Sequence, residues 1–239
     1  MKSQPQKSNK NVIIIAAIVG LVFLAALVVL IIGVANEGKT TTTSDSSNNT
    51  AATDVQTNAN DNKIHSGPYD PATISGKHNI EIDIKDYGVI KVELDADVAP
   101  ITVANFLNLT NDKFYDGLTF HRIIDTFMIQ GGDPQGNGSG GSDVDIKGEF
   151  TNNGVENNLQ HTRGAISMAR AMDPNSGSSQ FFIVHQDSPH LNGDYACFGY
   201  VTEGIEIVDK ICADTPVTDS NGTVEPSNQP VINSIKIAE

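Results

Sequence analysis

A succession of short strand-like segments, separated by glycine-rich turns, most constrains the fold of this chain. Residues 79–95 alternate apolar and polar side chains on both sides of the sequence KDYG, which predicts two antiparallel strands joined by a tight turn. Further short strands are predicted in the sequences TFHRII, FMIQGG, AISMAR, SQFFIVH, CFGYV and VINSIKIA. In the same region, helical periodicity is found at 99–113 and at 205–213. Many short strands with only two helices favour a closed antiparallel barrel over a parallel α/β sheet.

An uncharged apolar run of 24 residues lies near the N-terminus, at 12–35. Because a helix needs roughly 20 apolar residues to cross a bilayer, this run predicts a transmembrane anchor. Lys2, Lys7 and Lys10 precede it, so the positive-inside tendency places residues 1–11 in the cytoplasm and the C-terminal part across the membrane. A cleaved signal peptide is the alternative, since Gly33 and Ala35 offer a small-x-small cleavage site, and the protein is then secreted.

The segment 36–75 that follows is rich in Thr, Ser, Asn and Asp, a composition that predicts a flexible linker. As a random coil of about 40 residues, it would span roughly 35 Å. The remaining residues, 76–239, are long enough for one globular domain. This domain contains 10 Lys and Arg against 24 Asp and Glu, a net charge of −14. A field of this sign repels polyanions, which argues against a nucleic-acid partner.

A single arginine, Arg122, interrupts the apolar sequence FHRIIDTFMIQGGDP at 120–134. A guanidinium keeps its charge at any ordinary pH, so burying it without a partner would cost several kcal/mol. The side chain therefore pairs with another group, faces a pocket, or covers apolar surface with its stem while its head reaches water. The local pattern alone does not choose among these three arrangements.

Other functional patterns in the domain are weak. Gly136, Gly138 and Gly141 have the spacing G-x-G-x-x-G, but no helical period follows them, as a dinucleotide site requires. The histidines show neither an H-E-x-x-H pattern nor close pairing, so no metal site is predicted. No serine lies in a G-x-S-x-G elbow. The spacing of Cys197 and Cys212 fits either a disulfide or two buried free thiols.

Three segments together resemble the cyclophilins, a family of peptidyl-prolyl cis-trans isomerases: FHRIIDTFMIQGGDP, GAISMARAMDPNSGSSQFFIVH and HLNGDYACFGYVTEGIEIVDKI. They follow the order and the approximate spacing of the family, and the resemblance covers nearly all of residues 77–239. It implies an eight-stranded barrel closed by two helices, with a proline-binding groove on the outer face of the barrel. It also implies that Arg122 is the catalytic arginine. The residues implied to bind substrate are Phe127, Met128, Phe182 and Leu191 in an apolar proline pocket, and Gln130, Gln180 and the backbone of Ala169 along the substrate backbone.

Three residues depart from the common pattern of the family, and all three are predicted to line the substrate groove. His190 stands where many relatives carry a tryptophan that is associated with cyclosporin binding. Tyr195 replaces a histidine at the edge of the groove. Arg170 stands where eukaryotic members usually have asparagine, and the loop MDPNSGS is longer than theirs, as in many bacterial members. The resemblance is therefore to a bacterial-like cyclophilin.

The resemblance implies an enzyme that accelerates rotation about X-Pro bonds, needs neither metal nor cofactor, and acts on proline-containing segments of unfolded or folding proteins. Together with the apolar run, it predicts a monomeric, membrane-anchored isomerase that assists the folding of exported or cell-surface proteins. The alternative is a proline-peptide binding module with little or no turnover. A purely structural cell-surface domain is a third reading, and it predicts no peptide binding.

Overall fold

The computed structural model of the protein describes residues 63–238, which form a mainly β fold of eight strands and two α-helices. The helices are α1 (Pro100–Asn111) and α2 (Ile205–Asp214), and short 3-10 turns lie at Thr151–Asn153, Pro189–Leu191 and Pro226–Asn228. The strands are β1 (Lys77–Ile84), β2 (Gly88–Asp95), β3 (Phe120–Ile124), β4 (Met128–Gly131), β5 (Ala165–Met168), β6 (Phe181–Val184), β7 (Cys197–Glu203) and β8 (Ile232–Ala238).

The predicted N-terminal segments fall mainly outside the described residues. This holds for the cytoplasmic stretch 1–11, for the transmembrane anchor 12–35 and for the linker as far as residue 62. Among residues 63–238, neither helix has the length and apolar character that a membrane crossing requires. The prediction of an anchor therefore stays a prediction.

All eight strands belong to one antiparallel sheet with the order β3-β4-β6-β5-β7-β2-β1-β8. The two edge strands, β3 and β8, do not pair along their lengths. Residues 117–120 and 230–232 connect them through an isolated bridge between Thr119 and Val231 and through three backbone hydrogen bonds of 2.8–3.0 Å. The sequence predicted a closed barrel. The structure confirms the eight antiparallel strands but corrects the closure, because the edges of the curved sheet meet only at one end.

The hairpin predicted at 79–95 is present as β1 and β2. Its register pairs Ile80 with Val92 and Ile82 with Ile90, and all four side chains are at most 1% exposed. The connecting turn places Asp86 at a φ of 65°, a left-handed conformation that Asp tolerates better than most residues. Alternation of apolar and polar residues was a sufficient signal here, because one face of both strands packs on the core.

Helix α1 is buried on every side, whereas its sequence predicted one apolar face. Asn105 and Asn108 lie opposite that face and are fully buried. The side chain of Asn105 accepts a hydrogen bond from the backbone N–H of His65 at 2.9 Å, and Asn108 donates to the carbonyls of His65 and Tyr69. Residues 63–75, placed in the predicted linker, thus pack against α1, because the two buried amides need these backbone partners.

Apolar side chains form two separate clusters on opposite faces of the sheet. The larger cluster lies between the sheet and the two helices and includes Phe106, Phe120, Phe181 and Phe198. The smaller cluster consists of buried Met128, Ala165, Phe182, Val184, Leu191 and Cys197, with Ile124, Phe127, Leu159, Ala169, Tyr195 and Tyr200 packed against it. Because side chains alternate along a strand, neighbours such as Phe181 and Phe182 belong to different clusters. The smaller cluster is called the outer apolar cluster below.

Both cysteines are free thiols, which settles the alternative that their spacing left open. Cys197 is buried in β7, where removal from water raises the pKa of its thiol to about 11. Cys212 is partly buried in α2, and burial together with the nearby carboxylates of Asp125 and Asp209 raises its pKa to about 12. Neither thiol is activated as a nucleophile by its surroundings.

Candidate active site

A row of four side chains crosses the outer face of the sheet from β3 to β5. The strand register pairs Arg122 with Gln130, Gln130 with Phe182, and Phe182 with Ser167. Directly opposed residues of paired strands point to the same face, so a cation, an amide, an aromatic ring and a hydroxyl lie side by side. The sequence predicted the faces of Gln130 and Phe182, and the register joins them to Arg122.

The guanidinium of Arg122 is held by two segments of the chain. Its Nε–H donates to the backbone carbonyl of Asn221 at 2.8 Å, and one Nη2–H donates to the Asn221 side-chain oxygen at 3.2 Å. One Nη1–H donates to Gln130 Oε1 at 3.1 Å. These bonds use three of the five N–H groups of a guanidinium, so each terminal nitrogen keeps one donor for another acceptor. Burial lowers the pKa of Arg122 below its ordinary value, although the group stays charged at neutral pH.

Two glutamines connect Arg122 to the glycine-rich loop. Gln130 Nε2 donates to Gln180 Oε1 at 2.9 Å, and Gln180 Nε2 donates to the carbonyls of Gly138 and Gly140 at 3.1 and 2.7 Å. Residues 142–150, which follow this loop, contain no helix. The loop instead fixes the orientation of both amide side chains.

The outer apolar cluster lies directly beside this polar row. It contains every residue that was predicted to line the proline pocket, namely Phe127, Met128, Phe182 and Leu191, together with Ala169 and Tyr195. The ring of Tyr195 meets Phe182 edge-on with centroids 5.9 Å apart, and the exposed His190 ring lies 5.5 Å from Phe127. The structure therefore places an apolar surface and a row of hydrogen-bonding groups next to each other, as a proline-binding groove requires.

Arg170 packs on the ring of Tyr195. Its guanidinium is 4.7 Å from the centroid of Tyr195 and 5.1 Å from that of Phe150, and its Nε donates to the carbonyl of Asp194 at 3.0 Å. A cleft next to it is lined by Thr102, Ile146, Lys147, Gly148, Phe150, Met168, Arg170, Pro174, Gly177 and Ala196. Arg170 thus lines this cleft and also contacts Tyr195 of the outer apolar cluster, and the cation–π contact stabilises the position of that ring.

Sequence reasoning missed two residues that build the site. Asn221 lies 99 positions from Arg122 in the turn-like sequence SNG, and no periodicity connects the two. His161 stacks on Phe182 with centroids 6.0 Å apart, and its ring nitrogens contact Asn192 Oδ1 and Ser167 Oγ at 3.0 Å each. Burial lowers the pKa of His161, so the ring is neutral at pH 7. The sequence contained no signal for the placement of Asn221. For His161 the only signal was its position a few residues before the apolar strand β5, which made burial of the ring plausible.

Comparison with known proteins agrees with this geometry. A family model described as cyclophilin type peptidyl-prolyl cis-trans isomerase/CLD matches residues 79–237. The chain belongs to this family. Peptidyl-prolyl cis-trans isomerase B of Bacillus subtilis is 50% identical over 123 residues, which are 52% of this chain and 82% of the relative. Mouse peptidyl-prolyl cis-trans isomerase-like 3 is 40% identical over 152 residues, 64% of this chain and 91% of the relative.

Solved cyclophilin structures show the same architecture. A Cryptosporidium parvum cyclophilin type peptidyl-prolyl cis-trans isomerase superimposes with a TM-score of 0.61 at 32% identity, covering 69% of this chain and 99% of that one. A second structure of that protein, determined in the presence of the dipeptide Ala-Pro, gives a TM-score of 0.60 at 33% identity, with 67% and 99% of the two chains covered. The cyclophilin domain thus accounts for the described sheet and both helices.

Proposed function

This cyclophilin domain is a peptidyl-prolyl cis-trans isomerase, and we propose that Arg122 is the catalytic residue with which it accelerates rotation about X-Pro peptide bonds. The observation that carries the proposal is the position of Arg122 at the edge of the outer apolar cluster, with N–H groups on both terminal nitrogens left for a ligand. The proline ring binds among Phe127, Met128, Phe182 and Leu191. Gln130, Gln180 and the backbone of Ala169 hold the peptide on either side of it.

The chemistry requires no bond to a substrate atom to be broken. Rotation about an X-Pro bond faces a barrier of about 18–20 kcal/mol and takes tens to hundreds of seconds without a catalyst. Turnover within milliseconds requires a barrier roughly 6–7 kcal/mol lower, since each 1.36 kcal/mol is tenfold in rate. In the twisted state the prolyl nitrogen regains its lone pair and becomes a better hydrogen-bond acceptor.

A guanidinium N–H directed at that nitrogen binds the twisted form better than either planar isomer, which is the differential binding that lowers a barrier. A preorganised donor in a site that excludes water typically contributes about 2.7–4 kcal/mol. The hydrogen bonds that Arg122 donates to Asn221 and Gln130 supply the preorganisation, because they fix the guanidinium before a substrate arrives. The outer apolar cluster contributes orientation, because it holds the proline ring in place while the preceding carbonyl turns.

A protease-coupled isomerisation assay on an X-Pro peptide tests the proposal. Arg122→Ala is expected to lower kcat/KM about 100- to 1000-fold, the cost of one such donor. Lys236→Ala removes a cation from β8, away from the groove, and is expected to retain wild-type activity. Equal activity of wild type and Arg122→Ala would contradict the assigned role of Arg122.

A proline-peptide binding module with little or no turnover is the second candidate, and it is motivated by Arg170 and His190, which depart from the common pattern of the family, and by the longer loop MDPNSGS. NMR exchange spectroscopy on a bound X-Pro peptide separates the two functions. Fast cis-trans exchange of the bound peptide supports the isomerase. Exchange at the rate of the free peptide, despite binding, supports the module.

We further propose that the domain acts outside the cytoplasm as a monomer tethered by residues 12–35, on exported or cell-surface proteins. The uncharged apolar run and the preceding lysines support this placement. Protease treatment of intact cells tests it, since an external domain is degraded while a cytoplasmic marker survives. Light scattering of the purified protein tests the monomeric state.

A further inference from the structure

Asp125, His185 and Cys212 come together on the side of the β3–β4 turn that faces α2. One ligand atom from each of the three residues lies within 4.8 Å of the other two. Asp125 belongs to the turn after β3, His185 directly follows β6, and Cys212 lies in the last turn of α2. The pairing of β4 with β6 brings the first two segments together, and the His185 N–H donates to the carbonyl of Phe127 at 2.8 Å.

The hydrogen bonds of His185 determine which ring nitrogen carries the proton. The backbone N–H of Thr126 donates to Nδ1 at 3.0 Å, so Nδ1 bears the lone pair. The proton is therefore on Nε2, which donates to Asp209 Oδ1 at 3.0 Å. Arg163 holds Asp209 in turn, with contacts of 2.7 and 2.8 Å to its two carboxylate oxygens. Metal-binding histidines commonly have this arrangement, in which the nitrogen away from the metal donates to a carboxylate.

We propose that Asp125, His185 and Cys212 bind a divalent transition-metal ion of the Zn²⁺ type, with Asp209 orienting the histidine. Thiolate, imidazole and carboxylate are together a donor set that suits Zn²⁺ rather than Ca²⁺ or Mg²⁺, and the Cys212 thiol releases its proton to water when the ion binds. Three protein ligands leave the fourth tetrahedral position for water, on the side where the Asp125 side chain is 70% exposed.

The distances agree with this assignment. Two nitrogen or oxygen ligands at about 2.0–2.1 Å from a tetrahedral Zn²⁺ lie about 3.3 Å apart, and Asp125 Oδ1 is 3.3 Å from His185 Nδ1. A Zn–S bond of about 2.3 Å places the sulfur about 3.6 Å from the same ligands, so Cys212 moves inward by on the order of 1 Å at most. The Thr126 N–H that leaves Nδ1 retains its second acceptor, Asp125 Oδ1, at 2.8 Å.

The sequence search for closely spaced ligands could not find this group, because its members come from three separate segments. The group is also independent of the isomerase chemistry, since none of its three side chains belongs to the row that contains Arg122. A failure of the isomerase proposal would therefore leave the metal proposal standing, and the reverse is equally true.

The test uses the full-length chain in detergent micelles, without an affinity tag, titrated with Zn²⁺ alone and with Co²⁺ alone. Calorimetry is expected to give one Zn²⁺ per chain. The Co²⁺ complex is expected to show a thiolate-to-cobalt charge-transfer band, which only a cysteine ligand produces. Cys212→Ala should abolish the band, whereas the matched variant Cys197→Ala should retain it, because Cys197 lies buried in β7 and outside the group.

Two further variants keep the test decisive if a cysteine variant folds poorly. Asp125→Asn changes a largely exposed side chain and is expected to weaken Zn²⁺ binding at least tenfold without affecting folding. Asp209→Asn acts through His185 and is expected to weaken binding about 10- to 100-fold. Zn²⁺ affinity that is unchanged in Cys212→Ala and Asp125→Asn, or a Co²⁺ complex without the thiolate band, would overturn the proposal and assign any binding to the acidic surface.

Discussion

The carboxylate of Asp133 organises the glycine-rich loop, and its removal gives the sharpest test of how the site is held. Asp133 is 1% exposed. Its Oδ1 accepts the N–H of Gln135 at 2.8 Å, and its Oδ2 accepts those of Asn137 and Gly138 at 3.0 and 2.6 Å. Burial by itself would raise the pKa of Asp133, but the backbone donors outweigh it and hold that pKa below its usual value. In this loop the carbonyl of Gly138 accepts a hydrogen bond from Gln180. Gln180 in turn accepts one from Gln130, and Gln130 accepts one from Arg122, so the loop supports the orientation of all three side chains.

Asp133→Asn replaces one acceptor oxygen by an NH₂ group, which cannot accept a hydrogen bond. Whichever way the amide is turned, at least one backbone N–H loses its acceptor and faces another donor. A hydrogen bond to a charged group contributes about 1.5–3 kcal/mol, and the repulsion between the two facing donors adds to the loss. We therefore expect the free energy of unfolding to fall by about 2–4 kcal/mol in urea denaturation, with an unchanged m-value.

The pH dependence of this difference has a definite sign. Because the folded-state pKa of Asp133 is depressed, its stabilising contribution is complete above the unfolded value and is lost as the pH falls through the folded value. The unfolding curves of wild type and Asp133→Asn should thus converge below about pH 4. Asp173→Asn, in an exposed loop, is the control and should change stability by at most about 0.5 kcal/mol. A loss below 1 kcal/mol at pH 7 together with unchanged kcat/KM would refute the reasoning.

Three further predictions concern the groove and the buried histidines. Asn221→Ala removes the exposed acceptor of an Arg122 Nη2–H, so kcat/KM should fall about 2- to 10-fold in the coupled assay, while Asn228→Ala should not change it. His190→Trp restores the residue that the family associates with cyclosporin, so inhibition of the variant by the drug should strengthen at least tenfold over wild type. Burial lowers the pKa of His121, whose ring nitrogens have no hydrogen-bond partner among the described residues. The folded protein therefore binds fewer protons at this residue than the unfolded chain does. The free energy of unfolding should decrease as the pH falls below 6.5. His121→Phe should reduce the difference between the free energies of unfolding measured in urea at pH 7.5 and at pH 5.5, by up to about 1.4 kcal/mol per pH unit, and an undiminished difference would contradict this prediction.

The parts of the fold that the sequence predicted are those in which local periodicity coincides with burial. The alternation at 79–95 marks β1 and β2 because their inner face packs on the core, and α2 begins at the predicted residue, Ile205. The same rule placed Met128 with Gln130 and Gln180 with Phe182 on shared faces. It could not show that Arg122 lies in their row, because strand register depends on pairings between distant segments.

The parts that the sequence did not predict depend on contacts between distant residues. The N-terminal stretch 63–75 has a linker-like composition, yet it is ordered by the buried amides of Asn105 and Asn108, which looked like the polar face of a helix. The position of Asn221 and the meeting of the sheet edges at Thr119 and Val231 likewise have no local signal. Only the resemblance to a family, which carries the whole fold with it, predicted the composition of the groove.

The division of apolar side chains between two faces of one sheet has an evolutionary consequence. The residues proposed to bind the peptide lie on the outer face, whereas the larger apolar cluster lies between the sheet and its helices. Substitutions at positions such as His190, Tyr195 and Arg170 can therefore accumulate at little cost to the core. Descendants of one ancestral scaffold can diverge in substrate preference or drug resistance while inheriting the same architecture, and directed evolution of this protein can randomise the outer positions first.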